Sequence, residues 1–186
     1  MFAQIDLRYI KARPTKLVSR LVSYALFEGR PLTTRWQWIN PLLFAHFALE
    51  KRLPQLKRVE QPLFILGTGR SGTTIIGVVL SMHREVGFLN VPKAMWHAIY
   101  PDEDVIGSYS RGPASYRLDA SHASTVVKQN AHRLFGAYLA SIFSKRLVDK
   151  YPELIFRVPF VREIFPDAKF IFLVRNGWDT CASIDK

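Results

Sequence analysis

The sequence has 186 residues, a length for one domain, and at 48% hydrophobic and 13% aromatic it can bury a core, which excludes a disordered tail. Its 26 Lys and Arg outnumber 15 Asp and Glu, for a net charge of +11, which excludes an acidic solvating protein and favours an anionic partner. A lone cysteine, Cys181, excludes an intrachain disulfide framework and a cysteine-cluster zinc site.

No stretch reaches the roughly 18 consecutive apolar residues of a membrane span. The N-terminus shows no apolar run ahead of a small-residue cleavage site. The expectation is a cytoplasmic protein.

The charge is uneven. Residues 1–60 hold 11 Lys/Arg and 4 Asp/Glu, whereas residues 61–186 hold 15 and 11. The first sixty residues read as a basic helical N-terminal extension. Leu17, Val18, Leu21, Val22, Ala25 and Leu26 recur at three- and four-residue spacings and define one helix face. Gly29 and Pro31 end that element. Asn40-Pro41 reads as an N-cap with proline in the first turn, opening a helix that Pro54 stops. Such helices either pack their apolar faces on the main domain or make peripheral contact with an anionic membrane.

The pattern changes at Gln61. Pro62–Leu66 is a short apolar run before a glycine, as in a buried parallel strand. A helix follows from about Ser71 to Met82, then a second strand over Val86–Leu89. Residues 90–121 lack a period and read as a long loop containing Trp96, Tyr100, Tyr109 and Tyr116; acceptor contacts are expected there. A long helix is expected from Ser124 to Val148, with Lys145 and Arg146 in its last turns. Leu154–Val158 and Lys169–Val174 read as strands, with a short helix over Val161–Phe165 between them. Strand and helix in alternation predict an α/β fold with a parallel sheet.

Gly67-Thr68-Gly69-Arg70-Ser71-Gly72-Thr73-Thr74 lies between predicted strand and helix, the context of an anion-binding loop. Glycines let backbone N–H groups converge, and the helix N-terminus adds positive potential. Against the triphosphate pattern G-x-x-x-x-G-K-[ST], Gly67, Gly72 and Thr74 fit but Thr73 stands in the lysine slot. That counts against a metal-dependent nucleotide kinase, the alternative reading. A phosphate here is gripped by backbone, by Ser71, Thr73 and Thr74 hydroxyls and by the Arg70 fork. Further on, Lys169–Val174 runs into Arg175 at a strand's carboxyl end, where open α/β sheets bind ligands. Asn176 can cap the next helix, and Ser183 follows Arg175 by eight residues. Taken alone, Arg175 reads equally well as a surface salt-bridge partner.

These two motifs, in this order and spacing, resemble the sulfotransferases that use 3′-phosphoadenosine 5′-phosphosulfate. The RSGTT form is similar to the branch with tyrosylprotein and many bacterial sulfotransferases. The resemblance covers residues 61–186 and implies a three-layer, P-loop-type parallel sheet flanked by helices. It implies that Arg70, Ser71, Gly72, Thr73 and Thr74 hold the 5′-phosphosulfate, and that Arg175 and Ser183 hold the 3′-phosphate. Lys150, in Lys150-Tyr151-Pro152, resembles the family's lysine of a K-x-P motif. With Arg70 it is the candidate catalytic cation. The acceptor is a hydroxyl or amine on a small molecule, glycan or protein; no metal and no nucleic-acid partner is expected.

Two departures stand out. Val91 occupies the place of the family's glutamate base and cannot take a proton. His97, His83 and Glu85 are the other candidates for that role; otherwise the acceptor needs little base, or the protein binds nucleotide with little catalysis. The family's domain also continues about a hundred residues beyond the second motif, so residues 61–186 read as its N-terminal part.

Overall fold

A computed structural model describes residues 11, 14–29, 37–110 and 112–184. Pro31 lies outside them. Helix α1 spans Pro14–Val22 and continues as a π-helical turn over Ser23–Phe27. A 3-10 turn, Gln37–Ile39, leads into α2, Asn40–Glu50. Then come β1 (Leu63–Gly67), α3 (Thr73–Ser81), β2 (Val86–Asn90) and α4 (Lys93–Ile99). Helix α5 is Thr125–Ser141, β3 is Arg146–Lys150, α6 is Val158–Ile164, β4 is Lys169–Leu173 and α7 is Gly177–Ile184.

The four strands are parallel in the order β2-β3-β1-β4. Helix α3 covers one face, where Ile65, Phe88 and Val148 meet Ile76 and Leu80. It approaches closely because Gly77 has no side chain; a Cβ there would lie 2.3 Å from the Phe88 ring. The other face is thicker. Phe64, Leu66, Leu89 and Leu147 pack on Trp96 of α4, Leu134, Phe135 and Tyr138 of α5 and Phe160 of α6. Phe27, Leu43 and Phe47 from the N-terminal segment belong to this same core. The expected three-layer α/β architecture holds.

Four local expectations are corrected. The predicted 124–148 helix stops at Ser141, and 146–150 is an inner strand instead. The chain reverses where Phe143 adopts a left-handed φ of 53° and the Ser144 N–H returns to the Leu139 carbonyl, a C-cap made without glycine. Lys145 therefore pairs with Glu85 at 2.6 Å rather than ending a helix. The predicted strand at 154–158 is a 3-10 turn, Pro152–Phe156, started by a proline that has no N–H for a ladder. The supposed loop at 90–121 includes α4. Asn40 is not the cap of α2; it lies inside the helix, entered from Ile39.

The largest correction concerns α1. The buried residues of this segment are Lys16, Arg20, Ser23, Glu28 and Phe27, while Val18, Leu21 and Leu26 are exposed. The reason lies in β2, an edge strand whose outward backbone groups need partners. Lys16 Nζ donates to the Val86 carbonyl at 2.7 Å and to the Arg84 carbonyl at 3.2 Å. The Tyr138 hydroxyl donates to the Phe88 carbonyl at 2.9 Å and meets Ser23 Oγ at 2.9 Å. The Asn90 N–H donates to the Glu28 carboxylate at 2.7 Å, and Glu28 is paired with Arg20. Alternate positions 86, 88 and 90 of the strand are thus satisfied by side chains.

Candidate active site

The four strands end together on one side. Gly67 lies opposite Leu173, and Asn90 lies opposite Lys150. This is the crevice where open α/β sheets hold ligands. The turn after β1 is built from unusual backbone. Gly67 has φ 152°, Arg70 φ 65° and Gly72 φ 98°. A Cβ on Gly67 would lie 2.9 Å from the Leu173 carbonyl and 3.0 Å from Ser71 Oγ, so the β1–β4 junction admits only glycine. Ser71 Oγ donates to the Thr68 carbonyl at 2.7 Å and closes the loop. Gly72 precedes α3 without a side-chain cap, which leaves the first-turn N–H groups for an anion. Ser71 and Thr73 are buried, while Thr68, Gly69 and Arg70 face solvent.

The two motif segments are tied to each other. Arg70 Nε and Nη2 donate to the Ser183 carbonyl at 3.0 and 2.7 Å. Arg175 Nη1 donates to the Arg70 carbonyl at 2.9 Å. Both guanidinium groups are exposed and rest on neutral backbone oxygens. An anion gives a guanidinium a stronger, charge-assisted partner than a carbonyl does. The Asn176 side chain caps α7 by accepting the Trp178 N–H at 2.9 Å. Arg70, Ser71, Gly72, Thr73, Thr74, Arg175 and Ser183 are therefore in one neighbourhood.

Lys150 ends β3, opposite Ile65 of β1, and is buried. It is not the solvated helix-terminal lysine that a 124–148 helix would give. Burial lowers its pKa, opposed by the carboxylates of Asp149, Glu28 and Glu153. Its neighbour Asp149 points to the other face. There Oδ2 accepts the Trp96 indole N–H at 2.8 Å and Oδ1 has no partner. Burial pushes this carboxyl up to about 8.

A cleft of about 520 Å³ opens beside the loop. Gly67, Thr68 and Gly69 form one side; Val91, Tyr116, Pro152, Glu153, Ile155 and Phe156 form the others. Tyr116 and Phe156 have ring centroids 4.7 Å apart. Val91, at φ 56°, hands its N–H to the Lys150 carbonyl at 2.7 Å, so the position expected for a base does border the cleft. His97 is not among the lining residues; it stacks on Tyr109 and its ring nitrogen meets the Pro101 carbonyl. Burial lowers its pKa. Glu85 is engaged by Lys145, and His83 accepts the Glu85 N–H. Of the expected aromatic loop, Tyr116 reaches the cleft, whereas Trp96 is core. Sequence reasoning missed Glu153, three residues after Lys150; its only signal was adjacency to the K-x-P motif.

The profile of the sulfotransferase family matches residues 62–186. This chain belongs to that family. It is 24% identical over 128 residues to the "Putative protein-tyrosine sulfotransferase" of Caenorhabditis briggsae, covering 66% of this chain and 42% of that protein. It is 27% identical over 134 residues to the nodulation protein NoeE of Sinorhizobium fredii, covering 65% and 30%. The chain thus spans less than half the length of these curated relatives. The crystal structure of sulfotransferase STF1 from Mycobacterium tuberculosis aligns with a TM-score of 0.44 at 15% identity, over 89% of this chain and 61% of that one.

Proposed function

We propose that the protein transfers a sulfuryl group from 3′-phosphoadenosine 5′-phosphosulfate to a hydroxyl or amine acceptor on a small molecule, glycan or protein. The observation that carries this reading is the junction of the two motifs: Arg70 bonded to Ser183, and Arg175 bonded to Arg70, above an uncapped helix N-terminus. The loop N–H groups with Ser71, Gly72, Thr73 and Thr74 take the 5′-phosphosulfate. Arg175 and Ser183 take the 3′-phosphate. Sulfuryl transfer, like phosphoryl transfer, depends on positioning and on stabilising charge at the leaving phosphate. Arg70 and Lys150 are the two cations we assign to that role. Thr73 in the lysine slot, within a chain of this family, gives the kinase alternative no support.

Isothermal titration with 3′-phosphoadenosine 5′-phosphate tests the proposal. Saturable binding is expected. Arg70→Ala and Arg175→Ala should each weaken it about 10- to 100-fold, the range for a hydrogen bond to a charged group. Arg58→Ala, at an exposed partner of Glu60, should leave it unchanged. A folded protein that takes up no nucleotide would sink the reading.

A further inference from the structure

We infer that Glu153 is the general base of the transfer, taking the proton that Val91 cannot. The inference rests on the reading above. Three observations point to it. Glu153 is the one acidic residue among those lining the cleft next to the loop, whose other walls are largely apolar. Its carboxylate is near enough to Lys150 to add, after Asp149 and Glu28, to the charges that oppose the fall in that ammonium's pKa. Its backbone is firmly held. Leu154 is buried, the Tyr151 hydroxyl donates to Glu103 at 2.9 Å, and Arg157 grips the same Glu103 carboxylate and its carbonyl.

Glu153 neighbours Lys150 and Tyr151 on its own segment and shares the cleft with Tyr116, with the Glu103–Arg157 pair behind Tyr151. Arg70 belongs to the loop across the cleft. Tyr151 is tied to Glu103, and burial raises its pKa, so its proton is not exchanged in the working range. Glu153 is left as the group that can accept a proton beside the bound donor.

The step balances as follows. The acceptor O–H gives its proton to a Glu153 carboxylate oxygen. The freed oxygen pair forms an O–S bond to the sulfuryl group. The bond from sulfur to the bridging oxygen breaks, and its electrons pass to the 5′-phosphate, where Arg70 and Lys150 meet the charge. The products are the sulfate ester, 3′-phosphoadenosine 5′-phosphate and protonated Glu153, which returns its proton to solvent.

Water as acceptor makes the test independent of the natural one. Release of sulfate from saturating 3′-phosphoadenosine 5′-phosphosulfate is followed against pH for the wild type, Glu153→Gln, and Glu153→Gln combined with Val91→Glu. Binding of 3′-phosphoadenosine 5′-phosphate and thermal melting are measured on all three. Glu153→Gln should lose about 10²-fold or more of the rate, together with the acidic limb of the profile, at unchanged nucleotide affinity. A carboxylate at position 91 should restore part of both. An unchanged rate in Glu153→Gln overturns the assignment, as does wild-type hydrolysis no faster than buffer with nucleotide bound. Failure of the wild type to bind nucleotide instead overturns the function proposed above.

Discussion

Among the described residues, the two edges of the sheet differ. At β2, the backbone groups of Val86, Phe88 and Asn90 are taken up by Lys16, Tyr138 and Glu28. At β4, Phe172 is 56% exposed and Val174 beyond it is 80% exposed, and the following helix presents Trp178 at 86%. The covered edge is stabilised by buried polar groups and reaches toward the cleft through Glu28, which accepts the Asn90 N–H beside Val91 and acts on the Lys150 charge. The open edge adjoins the exposed guanidinium groups of Arg70 and Arg175. Under the function proposed above, the groups that would hold nucleotide and the groups that close the β2 edge are different, and substitutions should separate them.

The strongest separation is expected at Glu28. Glu28→Gln breaks the buried ion pair with Arg20 and should cost about 3–5 kcal/mol in chemical denaturation. Nucleotide affinity of the folded fraction should not change. Arg70→Ala should do the reverse, weakening binding with an unaltered denaturation midpoint. If Glu28→Gln abolishes nucleotide affinity while the fold persists, the separation fails.

Asp149 gives a smaller effect, legible in pH. Its folded pKa is raised to about 8 by burial, well above the unfolded value. Its stabilising contribution is therefore full below about pH 4 and is lost as pH rises through 8. The slope is at most about 1.4 kcal/mol per pH unit. Asp149→Asn keeps a side chain able to accept the Trp96 indole N–H and should flatten this slope. Thermal melts of both proteins at pH 6 and pH 9 check it: a wild type whose stability rises over that interval relative to the variant contradicts the assignment.

The smallest effect sharpens the account of α1. Leu21→Ser, on the exposed apolar stripe, should change stability by no more than about 0.5 kcal/mol. Lys16→Met, which removes the donor to Val86 and Arg84, should cost more. The opposite ranking in urea denaturation would restore the inward-facing apolar face that periodicity predicts.

Much of the site was legible because its chemistry is local. The run Gly67–Thr74 encodes its own turn, since Gly67 and Gly72 occupy backbone regions open to few other residues. Arg175 and Ser183 were readable as a pair eight residues apart. Strands β1, β2 and β4 were legible from short apolar runs. Strand β3 was not, because Arg146, Asp149 and Lys150 break the apolar pattern and the chain reverses after the preceding helix at Phe143, without glycine or proline. Glu153 as a cleft residue was hidden for a similar reason: Leu154–Val158 reads as a strand until the turn over Pro152–Phe156 is folded.

The sequence by itself determined the alternating α/β pattern, the glycine turn over residues 67–74 and the second motif, because each depends on residues adjacent in the chain. Tertiary structure decided which face of α1 is buried, that Lys150 ends an inner strand, and that Glu153 and Val91 border one cleft. These depend on partners about sixty or more residues apart: an edge strand that needs hydrogen bonds can outweigh the apolar face of a short helix.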